Sequence, residues 1–305
     1  MIKSLLDVTL LNSTFRMIAP ILLAALGGLL CGKVRVFNIA LEGTMLVGAF
    51  TAVAASYYSR NSLVGVAAAM VMGMLFSLLL AFLVVTLRQN SMVVGIALNL
   101  LANGLTTFLL LRLFGVRGSF TSPRIAGLGT VQIPFLAQIP ILGKILSGHS
   151  WVVYTSWVLV AVLYVLLFRT VFGLRIRGVG LDDEAARTLG VDVTRVRYIA
   201  LGLCGLLVGL AGAQLSLGQV TLYVEGMSAG RGWIALVAVM VGNAHPAKVF
   251  VASLVFGFAD AVGYRLQGLR LPYQFASMVP YLSTLLVFLI SQKVSGKGIQ
   301  VMGRS

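Results

Sequence analysis

The side chains best suited to chemistry crowd into one short stretch. Between Arg169 and Arg197 stand the arginines Arg169, Arg175, Arg177, Arg187, Arg195 and Arg197 and the acids Asp182, Asp183, Glu184 and Asp192. The mixture reads as a docking element offered to a soluble partner. Leu181 to Arg187 predicts a short helix. Asp182 or Asp183 can cap it, and acids suit the positive end of its dipole. Gly190 can end it. On either side, Trp151 to Phe168 and Tyr198 to Val224 carry no charge. A polar island between membrane-length apolar runs is a surface loop, and its arginines place it on the cytoplasmic side.

Elsewhere such residues are sparse. Glu42 is the only charge between Phe37 and Tyr58. A carboxylate facing lipid is costly, so it should face the bundle or a wet cavity. Asn38, four residues earlier, would share its helical face and suits the N-cap of a half-helix whose amides point into a path. Glu42 either braces a helix break, by accepting bonds from free backbone N–H groups, or touches a solute. Asn99 and Asn103, one turn apart, either face a polar solute or bond a neighbouring helix. Trp233 suits a flat ring or an interfacial belt. Asp260 is the only aspartate in the late apolar region. His245 lies in a turn sequence where Pro246 would open the next helix. His149 and Ser150 are adjacent on a loop and do not make a hydrolytic pair. Cys31 and Cys204 read as small core residues.

These side chains need positioning elements, and the composition says of what kind. The chain has 305 residues, 59% hydrophobic and 10% charged, with mean hydropathy +1.01. A soluble protein could not solvate that surface. The net charge of +15 sits between and beside apolar runs, which marks anionic lipid and not nucleic acid. Met1 to Arg16 lacks a clean signal-peptide cleavage site.

A span needs about 20 apolar residues. The candidates are Met17 to Cys31, Phe37 to Tyr58, Leu63 to Leu87, Met92 to Leu113, Trp151 to Phe168, Tyr198 to Leu217, Gly232 to Gly242, Val249 to Val262 and Tyr273 to Gln292. Gly232 to Gly242 and Val249 to Val262 are short and read as two halves of an interrupted element. The fold class is all-α: a polytopic integral membrane helical bundle of roughly 8–10 transmembrane segments, with interrupted helices. With the arginine loop inside, Gly115 to Ser150 is an external loop, Lys33 and Arg35 lie inside and the N-terminus outside. The tail with Lys293, Lys297 and Arg304 falls inside when both short segments cross. Gly202, Gly205, Gly209 and Gly212 form one small-residue face, read as ordinary close packing.

Four stretches carry a resemblance: Asn38 to Gly43 (NIALEG), Val93 to Leu105 (VVGIALNLLANGL), Gly180 to Arg197, and Gly230 to Leu266 with its FGFAD. In order and spacing the chain resembles the membrane permease subunits of ABC importers, in the branched-chain amino acid, simple-sugar and nucleoside permease family. The nucleoside-type branch is the nearest. The resemblance covers roughly residues 24–288; NAHPAK departs from the expected turn.

The resemblance implies a single permease domain over residues 1–305, with 115–150 as the external loop and 173–197 as the cytoplasmic ATPase-docking loop. The docking residues would be Asp182, Asp183, Glu184, Ala185, Ala186, Arg187 and Gly190. Ala185 and Ala186 would keep the backbone low enough to enter an ATPase groove, and Arg187 and Arg195 would reach partner carboxylates or lipid phosphates. The substrate pathway would be drawn from Asn38, Glu42, Asn99, Asn103 and Trp233. Implied partners are ABC ATPase subunits, a second homologous permease subunit and an extracytoplasmic substrate-binding protein. The location implied is the bacterial inner membrane. Cargo would be nucleosides, or alternatively riboflavin or simple sugars. The chain has no GxxxxGK[ST] P-loop, so ATP would be bound by a partner and no cofactor or metal is expected here. Two other classes stay open at this point. An intramembrane protease would need a Ser/His pair or paired aspartates, and an ion-coupled carrier could use Glu42 and Asp260.

Overall fold

The computed structural model describes residues 8–132, 145, 147–267 and 282. Ten helices dominate these residues. Helix α1 is Val8–Lys33, α2 Leu41–Ser59, α3 Ser62–Ala81, α4 Ser91–Phe114, α5 Trp151–Arg169, α6 Val171–Leu181, α7 Asp183–Thr188, α8 Val193–Ala213, α9 Arg231–Val241 and α10 Pro246–Gln267. Wide π-helical turns, Phe82–Thr86 and Gln214–Val220, extend α3 and α8. Among the described residues six helices are long and apolar enough to cross a membrane. The candidate span Tyr273 to Gln292 and the basic tail lie outside the described residues.

The ends of these helices follow local chemistry. Asn61 accepts a hydrogen bond from the Leu63 amide, and Asn90 accepts from those of Met92 and Val93. Each side chain satisfies donors that the first turn leaves free. Helix α4 stops at Gly115, whose φ of 69° favours glycine.

Helix α2 differs from its neighbours. It carries Glu42, Thr44, Thr51 and Ser56, and most of its residues are buried. It is sheathed by α3, α4 and α8, so its polar groups meet protein and not lipid. Its start differs from the sequence expectation. The helix begins at Leu41 with Ala40 as N-cap, so Asn38 lies in the preceding turn and shares no helical face with Glu42.

The glycine face of α8 lies inside this core. A methyl group on Gly205 would strike the Gly73 carbonyl of α3, one on Gly209 the Ala69 carbonyl, and one on Gly212 the Met45 carbonyl of α2. Backbones thus touch without side chains between them, the packing that holds helices together in lipid. Gly202, at the same face, meets nothing nearer than 3.6 Å.

At the far end of α8, about 30 Å from its start by helical rise, the segment after α4 folds over the bundle. Strand β1 (Ser119–Phe120) pairs antiparallel with β4 (Tyr223–Val224), and β2 (Thr130–Val131) with β3 (His149–Ser150). The Ser56 hydroxyl bonds the Ala126 carbonyl at 2.9 Å, and the Leu128 amide bonds the Leu217 carbonyl at 2.9 Å. An aromatic cluster of Phe50, Tyr57, Phe114, Phe120 and Tyr223 fills the space beneath. The expected loop is therefore tied down where it is described.

The interrupted-element expectation is corrected. Helices α9 and α10 are separate elements packed on each other across a tight turn. With 11 residues, α9 is too short to span; α10, with 22, is long enough. The turn residues Asn243 and Ala244 both have positive φ. His245 sits against the rings of Tyr164 and Phe168, and Pro246 opens α10 as expected.

Candidate functional site

Helix α7 is built as a rigid projection. The Asp182 carboxylate accepts from the Glu184 and Ala185 amides, both at 3.0 Å. At the other end Gly190, with φ 78°, closes a complete glycine cap. Its amide bonds the Arg187 carbonyl, and the Val191 amide bonds that of Ala186. Asp182 is the cap; Asp183 instead pairs with Arg197 at 3.3 Å. Arg197 also reaches the Val34 carbonyl at 3.4 Å, fastening α7 to the end of α1. Gly180 lies so close to the Lys33 carbonyl that no side chain would fit.

The presented surface differs from expectation in one residue. Ala186 is buried against the bundle and cannot line a partner groove. Ala185, Glu184, Arg187, Thr188 and Arg195 are exposed. Leu181 and Leu189 flank them at 75% and 83% exposure. Two large apolar side chains left bare beside a capped helix suit burial by a partner.

A second polar cluster lies inside the bundle, where the starts of α2 and α9 meet. Glu42 spans the gap. Its Oε1 accepts from the Gly230 amide at 2.8 Å and its Oε2 from the Gly232 amide at 2.7 Å. Those donors open α9, which has no side-chain cap of its own. The carboxylate braces a helix start, the structural alternative for Glu42. Gly232 lies against the Glu42 backbone, where a methyl would come within 2.6 Å of its Cα.

Asn99 performs the same service for α2. Its Oδ1 accepts from the Gly43 amide at 2.7 Å, and its Nδ2 donates to the Ile39 carbonyl at 3.1 Å. The cap comes from another helix, since Ala40 has no side-chain oxygen to offer. Asn99 therefore bonds a neighbouring helix. Asn103 donates to the Asn99 carbonyl at 3.1 Å but is itself exposed.

Asn38 is corrected from cap to turn. Its Oδ1 accepts from the Ala40 amide at 2.9 Å. Its Nδ2 points at both sulfurs, Cys204 at 3.5 Å and Cys31 at 3.6 Å. Trp233 is 43% exposed on α9, and no ring among the described residues packs on it. The structure thus joins Glu42, Asn99 and Asn38 around two helix starts and leaves Asn103 and Trp233 on the surface.

One pair escaped the sequence reading. Arg231 donates through Nε and Nη2 to Oδ2 of Asp260, at 3.2 and 3.1 Å. The pair ties α9 to α10 beside Glu42. Its signal was legible, because two opposite charges stand in successive apolar segments and lipid leaves such charges few other partners.

The geometry is a bundle of apolar helices with a capped basic-end projection and interior helix starts braced by side chains, and comparison with known proteins says to what family it belongs. The protein family described as branched-chain amino acid transport system / permease component matches residues 10–290. The chain belongs to this family. The permease is 37% identical to the guanosine ABC transporter permease NupQ of Bacillus subtilis, over 88% of this chain and 87% of that one. It is 35% identical to a protein of Haloferax volcanii named as a glucose ABC transporter permease, over 86% and 79%. It is 33% identical to the nucleoside ABC transporter permease NupC of Lactococcus lactis, over 88% and 87%. The permease is accordingly a multi-pass membrane protein, which the six long apolar helices among the described residues fit.

Proposed function

We propose that this permease forms half of the pore of an ATP-driven importer for nucleosides. Its arginine-rich end is cytoplasmic and α7 docks on a separate ATPase subunit. A substrate-binding protein delivers the cargo at the opposite end, and a second, different permease subunit completes the pore. The observation that carries the docking role is α7 itself: capped at both ends, clamped by Arg197, and flanked by bare Leu181 and Leu189. A helix so fixed transmits a push to the bundle and does not absorb it.

The cargo reading rests on the nucleoside-type stretches Asn38 to Gly43, Val93 to Leu105 and Gly230 to Leu266, and on the relatives named for guanosine and nucleosides. The described interior also favours a neutral solute. Its carboxylates are committed, Glu42 to backbone amides and Asp260 to Arg231. The same commitment speaks against an ion-coupled carrier, which needs an acid free to load and release its ion.

The test is uptake by vesicles holding the permease, its ATPase and its binding protein. Adenosine, guanosine, ribose, glucose, leucine and riboflavin are compared side by side. Nucleosides should be taken up and compete with one another. Uptake of a sugar, leucine or riboflavin without nucleosides overturns the cargo. In the same vesicles, combined Glu184→Lys and Arg187→Glu should leave the chain inserted and uncouple ATP hydrolysis from uptake; unchanged coupling overturns the docking role.

A further inference from the structure

Beneath α7 lies a pocket of about 560 Å3. It is bounded by α7, the start of α8, the connection from α1 to α2 and the π-helical turn that ends α3. Arg35, Arg88, Arg187 and Arg197 converge on it, with Asp183 and Glu184 as the only acids in its wall among the described residues. Asp183 is already neutralised by Arg197. Among the described residues no ion pair is recorded for Arg35, Arg88 or Arg187. The pocket is therefore a concavity with surplus fixed positive charge. Arg35 and Arg88 both sit at left-handed backbone positions, φ 55° and 53°. Such positions cost a residue with a side chain of order 1 kcal/mol or more, and here they end the turns that bring the two arginines to the rim.

The opposite wall is apolar. Val84 and Val85 line it from the π-helical turn. Beyond them, Phe82, Leu79 and Leu75 are exposed, and their spacing of three and four puts them on one face of α3. The membrane-length span Ser62–Thr86 ends at this wall, so the pocket stands where a spanning helix leaves the hydrocarbon and lipid headgroups lie. A soluble anion would use the arginines and leave the apolar wall bare. One class of molecule fits the charge, the apolar wall and the place, an anion on a hydrocarbon tail.

We propose that this pocket binds the phosphodiester headgroup of an anionic phospholipid, with its acyl chains leaving past Val84 and Val85 into the bilayer. Arg35 and Arg88 hold the phosphate from the bundle side, and Arg187 closes on it from α7. The lipid then bridges the docking helix and the bundle.

The full-length chain, purified in detergent, is given equal amounts of phosphatidylglycerol, phosphatidylethanolamine and phosphatidylcholine, and retained lipid is read by native mass spectrometry. Wild type should retain phosphatidylglycerol in preference to the zwitterionic lipids. Arg35→Gln with Arg88→Gln should lower that retention about fivefold per arginine. Arg35→Lys with Arg88→Lys, which keeps the charge, should retain most of it. Arg187→Gln, altering only an exposed side chain, should give a single-step loss and serves if the double variant does not fold. Arg169→Gln with Arg175→Gln, basic residues outside the pocket, should change nothing. Equal loss in that control, or no loss in the pocket variants, overturns the proposal. Displacement of the lipid by millimolar inorganic phosphate would make this a soluble-anion site and overturn the lipid assignment. Pocket variants that keep phosphatidylglycerol but lose a co-purified ATPase subunit would assign the arginines to protein docking instead.

Discussion

A backbone N–H inside a membrane bundle has no water to turn to, so a helix that starts there depends on a side chain. Glu42 supplies two such bonds and Asn99 one. Glu42→Ala should leave both α9 donors unpaired, at about 1–3 kcal/mol each, and lower the detergent melting temperature together with uptake. Glu42→Gln keeps one acceptor and turns an amide donor towards the other N–H, so an intermediate melting temperature is expected. A Gln variant as stable as wild type but inert in uptake would show that the charge serves transport and not bracing. His149 is a separate case, outside the spanning helices. Burial pushes its pKa below the ordinary histidine value, and its Nε2 lies 3.0 Å from the Ile145 carbonyl. The unfolded chain then binds the proton more readily than the folded one. Stability is full above pH of about 6.5 and falls as pH drops through the lower, folded value. Melting followed between pH 7.5 and 5 (on the order of the histidine range) should show this loss, and His149→Gln should flatten it.

Among the helices, contact distance separates residues that look alike in sequence. Gly202 and Gly209 belong to one small-residue face. Gly209 abuts the Ala69 carbonyl, while Gly202 meets only the Leu78 and Met74 side chains, at 3.6 and 3.9 Å. Gly209→Ala should cost about 1–3 kcal/mol through overpacking, whereas Gly202→Ala should melt within error of wild type. Equal melting of the two variants would contradict the α3–α8 packing. Helix α7 depends on its caps, being only 6 residues long. Asp182→Ala removes two amide partners and should cost about 1 kcal/mol of local stability. Expression and insertion should hold while uptake per ATP hydrolysed falls. The alternation of charge and hydrophobicity made α7 and its glycine stop legible beforehand. That Ala186 turns inward was not legible, because which side of so short a helix meets the bundle depends on α1 and α8.

For the whole molecule, the decisive joint is the one between projection and bundle. Arg197 contacts Asp183 on α7 and the Val34 carbonyl beyond α1. The ion pair is 21% and 40% exposed, so its direct worth to stability is about 1 kcal/mol or less. Its expected role is mechanical. Arg197→Gln should bind the ATPase subunit as wild type does and melt nearly as wild type does, yet transport less solute per ATP. Wild-type stoichiometry in that variant would place the transmission path elsewhere.

Composition and the spacing of apolar runs determined the membrane class, the helical architecture and the place of the polar segment that forms α7, because lipid admits few alternatives to a spanning helix. Glu42 was also marked by the sequence alone, as a lone charge in an apolar run. Its partners were not. Gly230 and Gly232 lie 188 and 190 residues away, and nothing in their identity says that their amides need a carboxylate. Asn38 read as an N-cap and Asn99 as facing either a solute or a neighbouring helix, but tertiary contacts made the first a turn beside two thiols and the second a cap for another helix. The 11-residue α9 became a separate helix for the same reason. A polar atom's type is written in the sequence, whereas the partner that satisfies it is chosen by how the helices pack.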